Sequence, residues 1–305
     1  EKPGTAVLLF AVAGGGERDV VAEKIPVQLP VGMEAVAVYG DTTNERVEGL
    51  KPPGGVRPGM GGLSLTMSST VMGGFDESMN QLVDYPYGCL EQMSSRLVPF
   101  VALRELSGKF GVAWTGGSEE QKQAFVRGFL SEDALKTQGT LDPDAVVTAT
   151  VRKIEALQNH DGGFRFWASS DCASPYASAY ATLALARAKE VGYPVTAGVL
   201  DKARKFLADK VAAGVCTQCA YGCNAPGLET RVFALYTLSR MGSPRPSYYN
   251  ELFEQRQKLP LFARAMLTDA IFVGKGNRAQ GQKLLQELLN QAQESAAGVH
   301  FQETD

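Results

Sequence analysis

Tyr85-Pro86-Tyr87-Gly88-Cys89-Leu90-Glu91-Gln92, followed by Met93-Ser94-Ser95-Arg96, marks the place where the character of the chain changes. A Pro-Gly loop runs into residues of good helix propensity, and the thiol of Cys89 comes three positions before the carboxamide of Gln92. That spacing puts both side chains on one face of a first helical turn. A helix N-terminus stabilises negative charge through its unpaired N–H groups, so it favours a thiolate. If the sulfur displaces the amide nitrogen of Gln92, ammonia leaves and a Cys–Gln thioester closes a ring through the intervening backbone. The bland alternative is a buried core thiol beside a solvated glutamine, and the Cys-x-x-Gln spacing alone favours it.

Before this stretch the pattern is that of strands. Residues 6–13 form an apolar run, followed by Gly14-Gly15-Gly16 and a second run over 20–29. Further strands are expected at 34–39 and 62–68, separated by the breaker cluster Lys51-Pro52-Pro53-Gly54-Gly55. Residues 1–70 therefore read as part of a β-sandwich whose edges too few strands complete.

After Met72 the period becomes helical, and residues 71–305 read as an α-domain. Helices are expected at 76–83 and 91–107. A third, over 118–130, has Ser118 as N-cap and Gln121 in the capping-box position. A fourth runs from Asp142-Pro143 to about 158, with Asp142 as cap and Pro143 at the first helical position. Three unusually apolar helices follow, 177–191, 229–241 and 260–273, each ending before a glycine (Gly192, Gly242, Gly274) where a left-handed residue is expected. Amphipathic helices at 197–211, 247–258 and 277–294 lie between and after them. Alternation of a buried helix with a half-exposed one predicts repeated helical hairpins, a mostly α fold of the α/α toroid type, open to being incomplete.

Composition narrows the function classes. The chain has 305 residues, 44% hydrophobic and 21% charged, with a formal net charge of −3, so it has no broad attraction for nucleic acid or an anionic membrane. Its longest apolar run is far below the roughly 18–20 residues of a membrane helix. The opening Glu1-Lys2-Pro3-Gly4 leads straight into a strand pattern, so the chain is expected to be a piece of a larger protein with its targeting segment elsewhere. Of five cysteines, Cys172, Cys216, Cys219 and Cys223 remain beside Cys89. They allow two disulfides in an oxidising compartment, or a zinc site built on Cys216-x-x-Cys219-x-x-x-Cys223.

The run from Asp84 to Gln92 resembles the thioester signature of the alpha-2-macroglobulin family in its bacterial form, with Leu90 where animal members usually carry Gly. A second stretch agrees: Leu157-Gln158-Asn159-His160-Asp161-Gly162-Gly163-Phe164-Arg165-Phe166-Trp167 resembles the inter-helix turn of the toroid superfamily to which these thioester domains belong. In that turn Asp161 and the glycines are expected to shape the chain, and Phe164 and Trp167 to pack. The resemblance implies a thioester domain inserted in a β-sandwich and a periplasmic or extracellular location. It also favours disulfides over zinc. Cys89 and Gln92 become the reactive pair, with Tyr85 and Tyr87 as candidates for its apolar cover.

The implied function is a covalent proteinase trap, not an enzyme and without a cofactor. Bait cleavage by an attacking proteinase exposes the bond, and Gln92 acylates a lysine of that proteinase. The partners expected are such proteinases and the remaining domains of the parent chain, with no nucleic acid and no direct membrane insertion. Some family members carry a histidine near the position of Asp171-Cys172; here neither His160 nor His300 falls there, which implies amine over hydroxyl acceptors. Three other readings compete. A toroid enzyme needs an acidic cluster or a zinc set, a cysteine hydrolase needs a histidine beside Cys89, and a thioester adhesin shares the chemistry but attaches to host surfaces.

Overall fold

The apolar alternation at the start of the chain folds as a β-hairpin. Strand β1 (Gly4–Gly14) pairs antiparallel with β2 (Glu17–Val27), in register from Gly4↔Val27 to Gly14↔Glu17. Gly15 and Gly16, both at positive φ, make the two-residue turn whose twist matches that of the strands. The computed structural model describes residues 3–28, 75–85, 88–109, 142–220, 222–295 and 298–303, with isolated positions between 36 and 67 and between 118 and 136. The strands expected at 34–39 and 62–68 fall largely outside the described residues, as does most of the helix expected at 118–130. The chain divides into two compact units, Glu1–Leu65 and Thr66–Asp305.

The second unit is a row of helical hairpins. Helix α1 (Phe75–Asp84) leads into α2 (Leu90–Lys109), and α3 (Pro143–Glu155) opens on Asp142, whose side chain accepts from Asp144 N–H. Then come α4 (Pro175–Glu190), α5 (Val199–Phe206), the short strands β3 (Thr217–Cys219) and β4 (Gly222–Asn224), and α6 (Leu228–Arg240). The last helices are α7 (Tyr249–Glu254), α8 (Leu261–Val273) and α9 (Arg278–Leu289), before a terminal hairpin of β5 (Gln293–Ser295) and β6 (Gly298–His300).

Helices α2, α4, α6 and α8 pack side by side in sequence, while α3 lies against α2, the π-helical turn Leu207–Ala212 that follows α5 against α6, and α9 against α8. Within this row α4 is buried over most of its circumference: it hides Ala177, Ala179, Ala181, Ala184, Leu185, Ala186 and Ala188, mostly small side chains that let neighbouring backbones approach closely. The outer α3 buries one stripe, Val146, Val147, Thr150, Val151 and Ile154, at helical spacing. The alternation read from the sequence is thus the architecture of the described helices, and the fold is mostly α.

Several elements differ in detail from expectation. The helix expected at 197–211 is α only to Phe206 and continues as a π-turn over Leu207–Ala212, which rotates Val211 and Ala212 into the core. The helix expected at 247–258 is α only over Tyr249–Glu254, between 3₁₀ turns at Pro246–Tyr248 and Arg256–Lys258. Gly192 and Gly242 are left-handed as expected, but Gly274 is not: its φ is −80, and the left-handed residue is Lys275. Glycine is needed at 274 for a different reason. A Cβ there would lie 2.2 Å from Tyr249 Oη and 2.7 Å from the Ala270 carbonyl. Finally, the helix expected to run to 294 ends at Leu289, because its apolar stripe has ended. The chain turns back as β5–β6, and the Glu303 carboxylate accepts from the N–H groups of Leu261 and Phe262, at 2.9 and 3.0 Å, capping α8 from a distance.

Candidate functional site

The start of α2 is built as a capping motif with a thiol in it. Cys89 stands at the N-cap, its carbonyl accepting the first helical hydrogen bond from Met93 N–H at 3.0 Å. Gln92, at the third helical position, folds its carboxamide back so that Oε1 accepts from Cys89 N–H at 3.4 Å. In a capping box the N-cap side chain is a hydroxyl and the third residue reaches back to the N-cap N–H. Here the same arrangement brings a thiol and a carboxamide into one turn. Cys89 is the free cysteine, only 2% exposed, and Leu90 beside it is fully buried.

Two further layers hold this turn. Leu90 N–H donates to the carbonyl of Phe166 at 3.0 Å, so the aromatic turn after α3 lies directly against the start of α2. Arg96, 4% exposed, donates from Nη2 to the Tyr85 carbonyl at 2.9 Å and ties the end of the preceding loop to the second turn of the helix. Burial lowers the pKa of that guanidinium below its ordinary value. On the adjoining face, Ser95 Oγ donates to Glu91 Oε1 at 3.1 Å and lies 3.1 Å from Tyr180 Oη on α4. Burial pushes the Tyr180 phenol up, so Tyr180 stays protonated and fixes Ser95 and Glu91.

The turn at 158–174 is held by hydrogen bonds to itself and to α4. Gly163 N–H donates to Asp161 Oδ1 at 3.0 Å, and Phe164 N–H donates to Ser178 Oγ at 2.8 Å. Isolated bridges pair Gln158 with Phe164 and Arg165 with Ala173. A Cβ on Gly163 would lie 2.5 Å from Ala173 Cβ and 2.6 Å from the Phe206 ring. Phe164 is fully buried, as expected, whereas Trp167 is 45% exposed and stacks edge-on against Phe166 at 5.6 Å. Trp167, expected to pack, does not, and the ring that lies partly buried against the core beside Phe164 is Phe166, to which no role was assigned. A cavity of about 540 Å³ opens beside it, lined also by Asp171, Cys172, Ser174, Ala220 and Asn224.

Of the two tyrosines expected to cover the reactive pair, Tyr85 is 42% exposed and reaches the site through its carbonyl, while Tyr87 lies outside the described residues. The four remaining cysteines form two disulfides, Cys172–Cys219 and Cys216–Cys223, with Cα separations of 5.1 and 5.7 Å. Bonded in pairs, these sulfurs are not zinc ligands. Asp171 Oδ2 accepts from Ala220 N–H beside the first bond. His160 and His300 are both exposed, and among the described residues no histidine hydrogen-bonds to Cys89.

No protein-family model matches the chain. Over 220 residues it is 24% identical to the alpha-2-macroglobulin homolog of Nostoc sp., an alignment that covers 69% of this chain and 10% of that protein. Its fold matches the native conformation of Escherichia coli alpha-2-macroglobulin with a TM-score of 0.52 and 21% identity, over 72% of this chain and 13% of that one. The native E. coli protein spanning domain MG7 to the C-terminus matches at 0.50 and 20%, over 71% and 31%. The chain thus spans about a tenth of the curated relative it matches, and it shares the fold of the C-terminal region of bacterial alpha-2-macroglobulins.

Proposed function

We infer, for a chain whose relatives in sequence and fold are alpha-2-macroglobulins, that it is the thioester-bearing part of a covalent proteinase trap. The observation that carries this is the pairing at the start of α2: a buried free thiol at the N-cap, and a carboxamide three residues on that is turned back onto the backbone N–H of the same cysteine. Thioester formation joins Cys89 Sγ to Gln92 Cδ and breaks the Cδ–Nε2 bond, and Nε2 leaves as ammonia carrying the thiol proton. Because the carboxamide already faces the N-cap, ring closure needs little reorientation.

A thioester is an acyl group in store, and it survives only where water is kept out. Cys89 itself is almost wholly buried, and Leu90 and Met93 on the same first turns of α2 are buried with it. When bait cleavage elsewhere in the parent protein exposes the bond, a lysine ε-amine of the proteinase attacks Gln92 Cδ. An amide forms, and Cys89 leaves as a thiolate that takes up a proton. Without a histidine acceptor at Asp171-Cys172, the amine attacks directly and hydroxyl groups react slowly. The two disulfides support an oxidising compartment, periplasmic or extracellular.

The test is capture. The intact protein, digested by a proteinase at its bait, forms an adduct with that proteinase that survives denaturation, and Cys89→Ala abolishes the adduct while leaving bait cleavage unchanged. An equal yield of adduct from Cys89→Ala would remove the covalent trap. Equal labelling by methylamine and glycerol would overturn the amine preference.

A further inference from the structure

We propose that the Cys172–Cys219 disulfide is a clasp that keeps the reactive turn closed, a role that rests on the thioester reading of Cys89 and Gln92. The links are continuous. Cys219 closes β3 of the small β3–β4 hairpin and is bonded to Cys172. The next residue, Ala173, is bridged to Arg165, and Ser174 N–H donates to the Phe164 carbonyl at 2.9 Å. Between those two anchors Phe166 presents its carbonyl to Leu90 N–H, the first donor of α2 and the neighbour of Cys89. That N–H belongs to a helix terminus and has no partner within its own helix.

The clasp acts on a segment that has room to move. The cavity of about 540 Å³ lies between Phe166 and the disulfide, lined by both. With the bond cut, the 169–173 stretch keeps its local bonds between Ser170 and Trp167, and its hydrogen bonding to the β3–β4 region reduces to the exposed contact of Ala220 N–H with Asp171. The Arg165–Ala173 bridge then frays toward the cavity and takes the Phe166 carbonyl from Leu90. The second disulfide, Cys216–Cys223, spans seven residues within the β3–β4 region and touches none of these links. The two bonds are therefore unequal: one guards the thioester, the other only the hairpin.

The experiment compares the paired variants Cys172→Ala/Cys219→Ala and Cys216→Ala/Cys223→Ala in the intact protein. Two readouts are followed: hydrogen exchange at the Leu90 amide, and the rate of methylamine-dependent release of the Cys89 thiol. Opening the clasp is expected to speed both by about tenfold, the loss of one well-made hydrogen bond, while the second pair leaves both unchanged. Ile271→Val, in the distant α8 core, controls for general destabilisation and is expected to leave both unchanged. Equal rates in the two paired variants, or acceleration by Ile271→Val, would overturn the proposal. If the unmodified protein releases no thiol on methylamine treatment, the thioester reading fails. The Leu90 amide then still decides whether the clasp exists.

Discussion

The hairpin at the start of the chain and the row of helices after it are comparably apolar, yet they use that apolar surface in opposite ways. Along β1 and β2 the side chains of Leu9, Phe10, Val12 and Val21 are all more than half exposed. In the helical unit Leu97, Phe100, Leu185, Leu235 and Ile271 are buried to 1% or less. A two-stranded ribbon has two faces and nothing of its own to cover either, whereas each helix of a hairpin row covers the stripe of its neighbour. Stability in the described structure therefore resides in the helices, and the Cys89–Gln92 turn lies among them.

That contrast is sharpest under truncation. Phe100→Ala is expected to cost about 3–5 kcal/mol in denaturant unfolding, because it removes a fully buried ring from α2. Phe10→Ala, at a ring 60% exposed, is expected to cost less than about 0.5 kcal/mol. A cost for Phe10→Ala approaching that for Phe100→Ala would mean the ribbon is covered in solution and would break the comparison. A smaller effect tests the turn that supports α2. Gly163→Ala forces a Cβ into Ala173 and the Phe206 ring and is expected to cost about 1–3 kcal/mol, with faster methylamine uptake at Gln92.

A carboxylate at the end of α3 gives the helical unit a dependence on pH. Glu155, at the end of α3, accepts from Thr196 N–H at 2.6 Å, from the Thr196 hydroxyl at 2.8 Å and from Arg152 at 2.7 Å. Burial works against its charge, but these donors together hold its carboxyl below the ordinary value of 4.5. A depressed carboxylate contributes stability that is fully present above the unfolded pKa and is lost as pH falls through the folded one. Glu155→Gln is therefore expected to cost about 1–2 kcal/mol at neutral pH. The difference from wild type should shrink in thermal scans taken progressively below pH 4.5. A difference that persists unchanged in acid would remove the carboxylate from the explanation.

The sequence made the helical period, the caps and the Cys89–Gln92 spacing legible because each is written in residues close together. Asp142 caps α3 as its identity suggests, and the apolar helices are the inner ones. Contacts made by backbone atoms across the chain leave no such trace. The Phe166 carbonyl on Leu90 N–H, the Tyr85 carbonyl on Arg96 and the Glu303 cap of α8 depend on tertiary placement, not on any local pattern. The disulfide partners were equally closed to sequence reasoning, since four cysteines allow three pairings. Gly274 shows a subtler limit: the glycine after α8 was rightly noticed, but it answers to the nearby Tyr249 hydroxyl and not to a left-handed backbone.

The intact mass of freshly isolated protein tests the central claim most directly. A closed thioester predicts a mass about 17 Da below that of the sequence with its disulfides formed, the loss of ammonia, and a Cys89 thiol that resists alkylation until methylamine is added. The full sequence mass, together with immediate alkylation of Cys89, would contradict it.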